Sequence, residues 1–382
     1  MNTPVDPESG SLLDNTRIEE AAVTIADLQD SAVVVASHQG RVGREDYISL
    51  GKHAGVLRSV LKRDMKFVED VFGPAATTEI SSLQPGEVLL LDNLRFVAEE
   101  NMEFTPERAA RTILVQKLYR HFDACILDAF PTAHRAHPSI VGFSHLLPTA
   151  GGRLVVKELQ ALNRLKKVAK GPFTTVLGGA KVSDRLEAID TLIQNNRADR
   201  VLLCGLIANI FLKAKGRIKN SSLVNGEEAN VQKARSLLSE YPESFELPQD
   251  IAVRKNGERI EISVEDLPSQ SEANVLDIGA RTIDHYSRII QSSGTVFMSG
   301  PPGAFEIEGF GLGTESLLRA MASSYGTTIV SGGHLTAALK HFGIRESIDH
   351  VSTAGGALVL YLAGRRLPLI EALENAARRV MK

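Results

Sequence analysis

The chain has 382 residues, 43% hydrophobic and 23% charged, which allows two cored domains and excludes disordered and collagen-like classes. Its formal charge of −3 argues against gripping nucleic acid through the phosphate backbone, and two cysteines are too few for a disulfide framework. No apolar run approaches the ~18 residues of a membrane span, and the polar start from Met1 to Ser11 is no secretion signal, so a cytoplasmic protein with neither nucleic-acid nor membrane partner is expected.

Ile18, Ala21, Ala22, Ile25 and Leu28 recur at helical spacing, with Asp14 or Asn15 placed to cap the start. The branched run at 32–36 reads as a buried strand. A helix follows around 46–63, then strands at 66–68 and, after the Pro85-Gly86 turn, at 87–91. Thr105-Pro106-Glu107 opens another helix, and 124–127 is a further strand. Apolar strands that alternate with helices predict a parallel sheet covered on both faces. One amphipathic helix is expected over 151–170. Beyond Gly171-Pro172 a second alternation begins, with strands at 174–177, 201–203, 296–298, 328–330 and 350–352. Asn256-Gly257 inside 251–263 signals a hairpin. The expected fold class is α/β, with two Rossmann-like doubly wound parallel-sheet domains joined by a helical hinge.

Ligands of such sheets sit beyond the carboxyl ends of the strands. In the first half those segments are 37–41, 92–96 and 128–139, and with Arg17 they collect His38, Arg41, Arg95, His134, Arg135 and His137. Guanidinium forks pair with carboxylate or phosphate in two parallel hydrogen bonds, which suits a small, strongly anionic substrate. His134 and His137 lack carboxylate or cysteine companions at ligand spacing, so no metal site is expected there.

In the second half the equivalent segments are glycine-rich: 177–181, 299–303, 331–334 and 353–356. Glycine lets backbone N–H groups approach a phosphate, and the helix that follows points its positive end there. The pattern favours a nucleotide. No P-loop signature occurs, and Gly309-x-Gly311-x-Gly313 reads as a helix-entry turn rather than a dinucleotide fingerprint. An anion clamp in one domain and a nucleotide site in the other suggest phosphoryl transfer, with Lys181 placed to stabilise the moving group. A nicotinamide dehydrogenase has the fold class in its favour but no fingerprint.

The chain resembles phosphoglycerate kinase along nearly its whole length, most of all the archaeal branch. The match rests on SHQGR at 37–41, DNLRF at 92–96, DAFPTAHRAHPS at 128–139, GGAKVSDR at 178–185, GPPGAFE at 300–306 and HVSTAGG at 350–356. The resemblance implies transfer between ATP and the carboxylate of 3-phosphoglycerate, with Mg²⁺ bound to the nucleotide. It implies a substrate domain at 1–150 to which 366–382 returns, a linking helix at 151–170, and a nucleotide domain at 171–365. It assigns Asn2, Arg17, His38, Arg41, Arg95 and Arg135 to the acidic substrate. Gly178, Gly179, Lys181, Arg185, Glu306, Gly332, Gly333 and His334 fall to the nucleotide, and Lys181, Arg135, Gly355 and Gly356 to catalysis. A monomer is expected.

Several positions depart from the family's pattern. The family opens with a strand ending R-V-D-x-N, of which this sequence holds the Asn as Asn2, so a further strand upstream is expected. Arg185 stands in place of a second Lys, and Ser299 in place of an Asn. His334 stands where relatives have an Asp that helps place the metal, and a neutral imidazole is a poor Mg²⁺ ligand. Two outcomes are compatible with these departures: an active kinase, and an impaired relative that keeps nucleotide binding. Because in-line transfer needs reacting atoms at roughly 3–3.5 Å, the domains are expected to close, with bending near Gly151-Gly152 and Gly171-Pro172.

Overall fold

A computed structural model describes residues 1–6, 8–168, 171–180, 182–194, 198–218, 227–267, 274–352 and 354–380. The chain divides into two compact units, one of residues 1–160 with 366–382 and one of residues 161–365. No helix among the described residues is long and apolar enough to cross a membrane.

In the first unit β1 (Val33–Val35), β2 (Met65–Val68) and β3 (Val88–Leu91) form a parallel sheet in the order β1-β3-β2. Parallel strands are joined by crossovers that cover both faces, so a central strand is apolar throughout. β3 reads Val-Leu-Leu-Leu and is buried at every position. Its Val88 and Leu90 pack with Ile18, Leu50 and Leu57, while Leu89 and Leu91 pack with Ala76, Leu114 and Phe143. A second parallel pair joins β4 (Cys125–Leu127) to β5 (Thr149–Gly151). The helix Pro368–Val380 also packs in this unit, where Leu369 N–H donates to the Ala133 carbonyl at 3.1 Å and the Arg379 guanidinium donates to the Ser144 and His145 carbonyls.

The second unit is built on β6 (Phe173–Leu177), β7 (Arg200–Leu203) and β8 (Phe245–Glu246), followed by a hairpin excursion of β9 (Asp250–Lys255), β10 (Glu258–Ser263) and β11 (Val275–Ile278). β12 (Thr295–Ser299), β13 (Thr327–Ser331) and β14 (His350–Ser352) complete it. Six strands make an all-parallel sheet in the order β14-β13-β12-β6-β7-β8, and β10-β9-β11 form an antiparallel sheet. Asn256 and Gly257 both take positive φ at the β9–β10 turn, the conformation a two-residue hairpin requires. Doubly covered parallel sheets in each unit make the architecture α/β and Rossmann-like.

The structure corrects several sequence expectations. The helix expected from 46 begins at Gly51, where Asp92 Oδ1 accepts the N–H of Leu50 at 2.8 Å. The stretch 46–50 instead walls the loop after β1. The first helix runs Thr16–Ala26, and Asp14 rather than Asn15 supplies the side-chain acceptor, taking the Thr16 N–H at 3.0 Å. The helix Pro74–Ser82 and strands β5, β8 and β11 lack the periodicity that would have revealed them.

The long helix runs Arg153–Val168. Its start is fastened to the first unit: Gly152 N–H donates to the Leu127 carbonyl at 2.9 Å, Arg153 N–H to Thr24 Oγ1 at 2.9 Å, and Val155 N–H to Asp128 Oδ1 at 3.1 Å. Thr24 Oγ1 donates in turn to Asp128 Oδ2 at 2.5 Å. Gly152 has to lack a side chain, since a Cβ would collide with the Asp128 carboxylate.

Candidate active site

In the first unit the loops after β1 and β3 are joined through two buried amides. Gln39 N–H donates to Asn93 Oδ1 at 3.0 Å, and Asn93 Nδ2 returns the bond to the Gln39 carbonyl at 2.7 Å. Asn93 Nδ2 also donates to the Ile48 carbonyl at 2.9 Å, and its Oδ1 accepts the Arg95 N–H at 3.1 Å. The Gln39 side chain exchanges bonds with Thr3, donates to the Asp46 carbonyl at 3.1 Å, and accepts from His53 Nε2 at 3.0 Å. Gly40 takes φ +65°, and a Cβ there would run into the Asp46 carbonyl.

Arginines gather on this frame. The Arg95 guanidinium donates to the Gly40 carbonyl, and its pKa is lowered first by burial and then by the charges of Arg41 and Arg135. Arg41 and Arg135 are therefore near enough for their charges to act on Arg95. Arg41 is exposed, and Arg135 faces Glu103 at 3.5 Å. Arg17 donates to the Asn2 carbonyl at 2.7 Å, while Asn2 Oδ1 accepts the Gly40 N–H at 3.1 Å. Burial lowers the Arg17 pKa as well. Like charges held close together raise the local affinity for an anion.

Glu100 corrects the expectation that the histidines lack a carboxylate companion. It is fully buried, and its Oε1 lies 2.7 Å from His38 Nε2 and 4.0 Å from His137 Nδ1. These three groups are of metal-ligating type and lie close together. The Glu100 oxygens, however, already accept from Ser139 Oγ and, at 3.0 Å, from the Ser139 N–H. Burial pushes the His137 imidazole down to about 4, so it is neutral at physiological pH. Gln39 and Asn93 fall inside the segments read as ligand-facing, but Glu100 carries no signal of its own in the sequence, since its partners His38 and Ser139 lie 62 and 39 residues away.

In the second unit the glycines fall into two kinds. A Cβ on Gly178 would strike the Pro301 carbonyl, one on Gly300 would strike the Gly178 carbonyl, and Gly179 lies against Pro301 and the Arg185 guanidinium. These glycines let the turns after β6 and β12 touch backbone to backbone. By contrast, a Cβ on Gly332, Gly333, Gly355 or Gly356 would meet nothing within 4 Å. The helices Gly333–His341 and Gly355–Leu362 begin at that open rim, and the first-turn N–H groups of a helix have no partner within it. His334 Nδ1 lies 3.4 Å from Glu306 Oε1, with both side chains exposed. Gly313 sits early in the helix Leu312–Ala322 and donates its N–H to Asp277 Oδ2 at 2.9 Å, in keeping with a helix-entry turn. Lys181 lies outside the described residues.

A cationic rim on one Rossmann-like unit and open helix starts on the other are the parts of a small-molecule kinase. Comparison with known proteins narrows the class. A family profile described as Phosphoglycerate kinase matches residues 1–365. The chain is 41% identical over 380 residues to the phosphoglycerate kinase of Methanobacterium bryantii, covering 98% of this chain and 92% of that protein. It is 42% identical to the phosphoglycerate kinase of Sulfurisphaera tokodaii, covering 98% and 91%. The crystal structure of phosphoglycerate kinase from Pyrococcus horikoshii OT3 superposes with a TM-score of 0.90 at 36% identity, covering 99% of this chain and 95% of that one. The chain belongs to the phosphoglycerate kinase family, glycolytic phosphotransferases that act on a carboxyl group.

His53 gives this frame an acid limit. Burial lowers its pKa from the ordinary 6.5 to about 4. Above pH 6.5 the imidazole is neutral in both folded and unfolded chains. Between 6.5 and about 4 the unfolded chain binds a proton that the native state refuses, so stability falls as pH falls through that window. The full effect is on the order of 3 kcal/mol. His53→Gln, which keeps a donor toward Gln39, should flatten the decline of melting temperature between pH 6.5 and 4. An unchanged pH profile would show that His53 does not carry it.

The two kinds of glycine should also separate by mutation. Gly178→Ala should lower stability by about 1–3 kcal/mol in urea unfolding, the usual range for overpacking. Gly333→Ala should leave stability within about 1 kcal/mol yet weaken nucleotide binding measured by calorimetry. Equal destabilisation by both changes would contradict the division.

Proposed function

We propose that this chain transfers a phosphoryl group reversibly between ATP and the carboxylate of 3-phosphoglycerate, giving ADP and 1,3-bisphosphoglycerate. The observation that carries this reading is the shared rim of Arg41, Arg95 and Arg135, which answers a ligand with a carboxylate at one end and a phosphate at the other. Asn2, Arg17 and His38 complete the acidic-substrate site in this proposal. Gly178, Gly179, Arg185, Glu306, Gly332, Gly333 and His334 form the nucleotide site. Gly355 and Gly356 aim backbone N–H groups at the migrating phosphoryl group, with Lys181 and Arg135 neutralising its charge. The carboxylate oxygen attacks the γ-phosphorus, the bond to the bridging oxygen breaks, and ADP departs. Most of the work is positioning and charge stabilisation.

Mg²⁺ fits this site as an ion brought by the nucleotide. Of the two side chains paired at the rim, the Glu306 carboxylate suits Mg²⁺ and the His334 imidazole does not. Phosphates and water would hold the ion, Glu306 would be the side chain of this pair suited to its water shell, and the ion would offset charge on the phosphates. We also place the protein in the cytoplasm as a monomer.

Two measurements test the proposal. Arg95→Ala should weaken 3-phosphoglycerate binding by about 2–5 kcal/mol, with a smaller loss for the exposed Arg41→Ala, while nucleotide affinity measured by calorimetry stays within twofold. Equal losses for both ligands would place the arginines wrongly. Transfer also calls for closure about the long helix, with bending near Gly151-Gly152 and Gly171-Pro172, and the hydrogen bonds that fasten its start favour the second of these. The radius of gyration from small-angle scattering should shrink most with both ligands bound. A value that never changes would rule closure out.

A further inference from the structure

The segment from Gly303 to Gly313 carries Glu306 to the open rim of the second unit, where it faces His334. It is irregular until the helix that begins at Leu312. Two linked turns give it shape: Ile307 N–H donates to the Ala304 carbonyl at 2.8 Å, and Phe310 N–H to the Ile307 carbonyl at 3.0 Å. Glu306 lies inside the first turn. Two residues of β11 hold the ends of the segment. The Leu276 carbonyl accepts the Ala304 N–H at 2.8 Å, and Asp277 Oδ2 accepts the Gly313 N–H at 2.9 Å.

The middle is held from farther away. Arg259, on β10, reaches past β9 and donates through Nη1 to the Gly309 carbonyl at 3.1 Å and to Asp277 Oδ2 at 2.8 Å. Its Nη2 donates to the Ile278 carbonyl and to Glu261 Oε1, each at 2.9 Å, and its Nε to the same Oε1 at 3.2 Å. The buried Phe310 lies beside this fork, with the Arg254 and Arg259 guanidiniums 5.4 and 5.8 Å from its ring centre. Balancing the charge of the buried Asp277 would take any single cation. Reaching two backbone carbonyls at the same time takes a planar fork of donors. The Gly309 carbonyl belongs to the second turn, so the fork fixes that turn against β11, and the first turn is joined to it.

We propose that Arg259 is a positioning residue for the nucleotide loop: by tying the turn at Gly309 to Asp277, the hairpin of β9 and β10 sets where Glu306 stands at the rim. This rests on the assignment of Glu306 to the nucleotide, and it adds a residue of the hairpin on which nucleotide affinity depends.

The test is a double-mutant cycle on ADP affinity, measured by calorimetry with the full-length protein and Mg²⁺ present. Arg259→Lys keeps a positive charge for Asp277 and gives up the fork. It should weaken ADP binding by about fivefold or more, the size of a lost positioning contact, while 3-phosphoglycerate affinity stays within about twofold. Glu306→Gln should also weaken ADP binding. The double variant should bind ADP within about twofold of the weaker single variant, because Arg259 acts through Glu306. A bracket that serves stability alone would give losses that multiply. Multiplying losses, an ADP affinity unmoved in Arg259→Lys, or one unmoved in Glu306→Gln would overturn the inference. If Arg259→Lys does not fold, Arg259→Gln combined with Asp277→Asn removes both charges together and takes its place in the cycle, with the same outcomes expected. Failure of the unaltered protein to bind ADP at all would instead overturn the nucleotide assignment, and this inference with it.

Discussion

Three guanidiniums on one rim repel each other, and much of the first unit's loop structure serves to hold them there. Arg95 is pinned by its own backbone to Asn93 and by its side chain to Gly40. Gly40 is in turn fixed by Asn2, and Asn93 and Gln39 lock the two loops into one body. Both of these amides, Gln39 and Asn93, are buried, so breaking one strands polar groups away from water at about 1–3 kcal/mol. Neutral hydrogen bonds thus hold Arg95 in place, while Arg135 also faces the Glu103 carboxylate at 3.5 Å. Glu100, the buried carboxylate of this region, bonds to histidine and serine, and its charge also reaches Arg95.

Much of this was legible in the sequence. Buried strands of a parallel sheet run apolar, and β1 and β3, apolar at every position, and the Val296–Met298 run of β12 stand out for that reason. The loop at the carboxyl end of each strand could then be read as a ligand-facing segment, which located Arg41, Arg95, Arg135 and the glycine turns. The Asn256-Gly257 hairpin was legible because its two positive φ values demand those residues. β8 was not, being two residues long, nor was β5, whose Thr-Ala-Gly is a weak strand former. The false helix start at 46 arose from a pattern that extends beyond its real cap, which is a carboxylate from Asp92, forty-two positions away.

Glycine illustrates the limit of reading ligands from composition. The sequence treats Gly178 and Gly333 alike, as turns after strands. Their surroundings differ entirely, since one is pressed on a carbonyl and the other borders open space. Only three-dimensional packing distinguishes a glycine that lets the chain touch itself from one that lets a ligand approach. Glu100 shows the converse. An unremarkable acidic residue in a run of Glu-Glu-Asn becomes the partner of a histidine because β1 and β3 are neighbours in the sheet.

The fastening of the long helix by Thr24 and Asp128 gives it the mechanics of a cantilever. A beam bolted at one end transmits any tilt of its mounting as displacement of its far end. Sixteen residues at about 1.5 Å each make an arm of roughly 24 Å. On such an arm a tilt of about five degrees becomes a travel of roughly 2 Å. On a rigid helix, a small tilt at Asp128, which comes directly after β4, would therefore be enlarged along the helix.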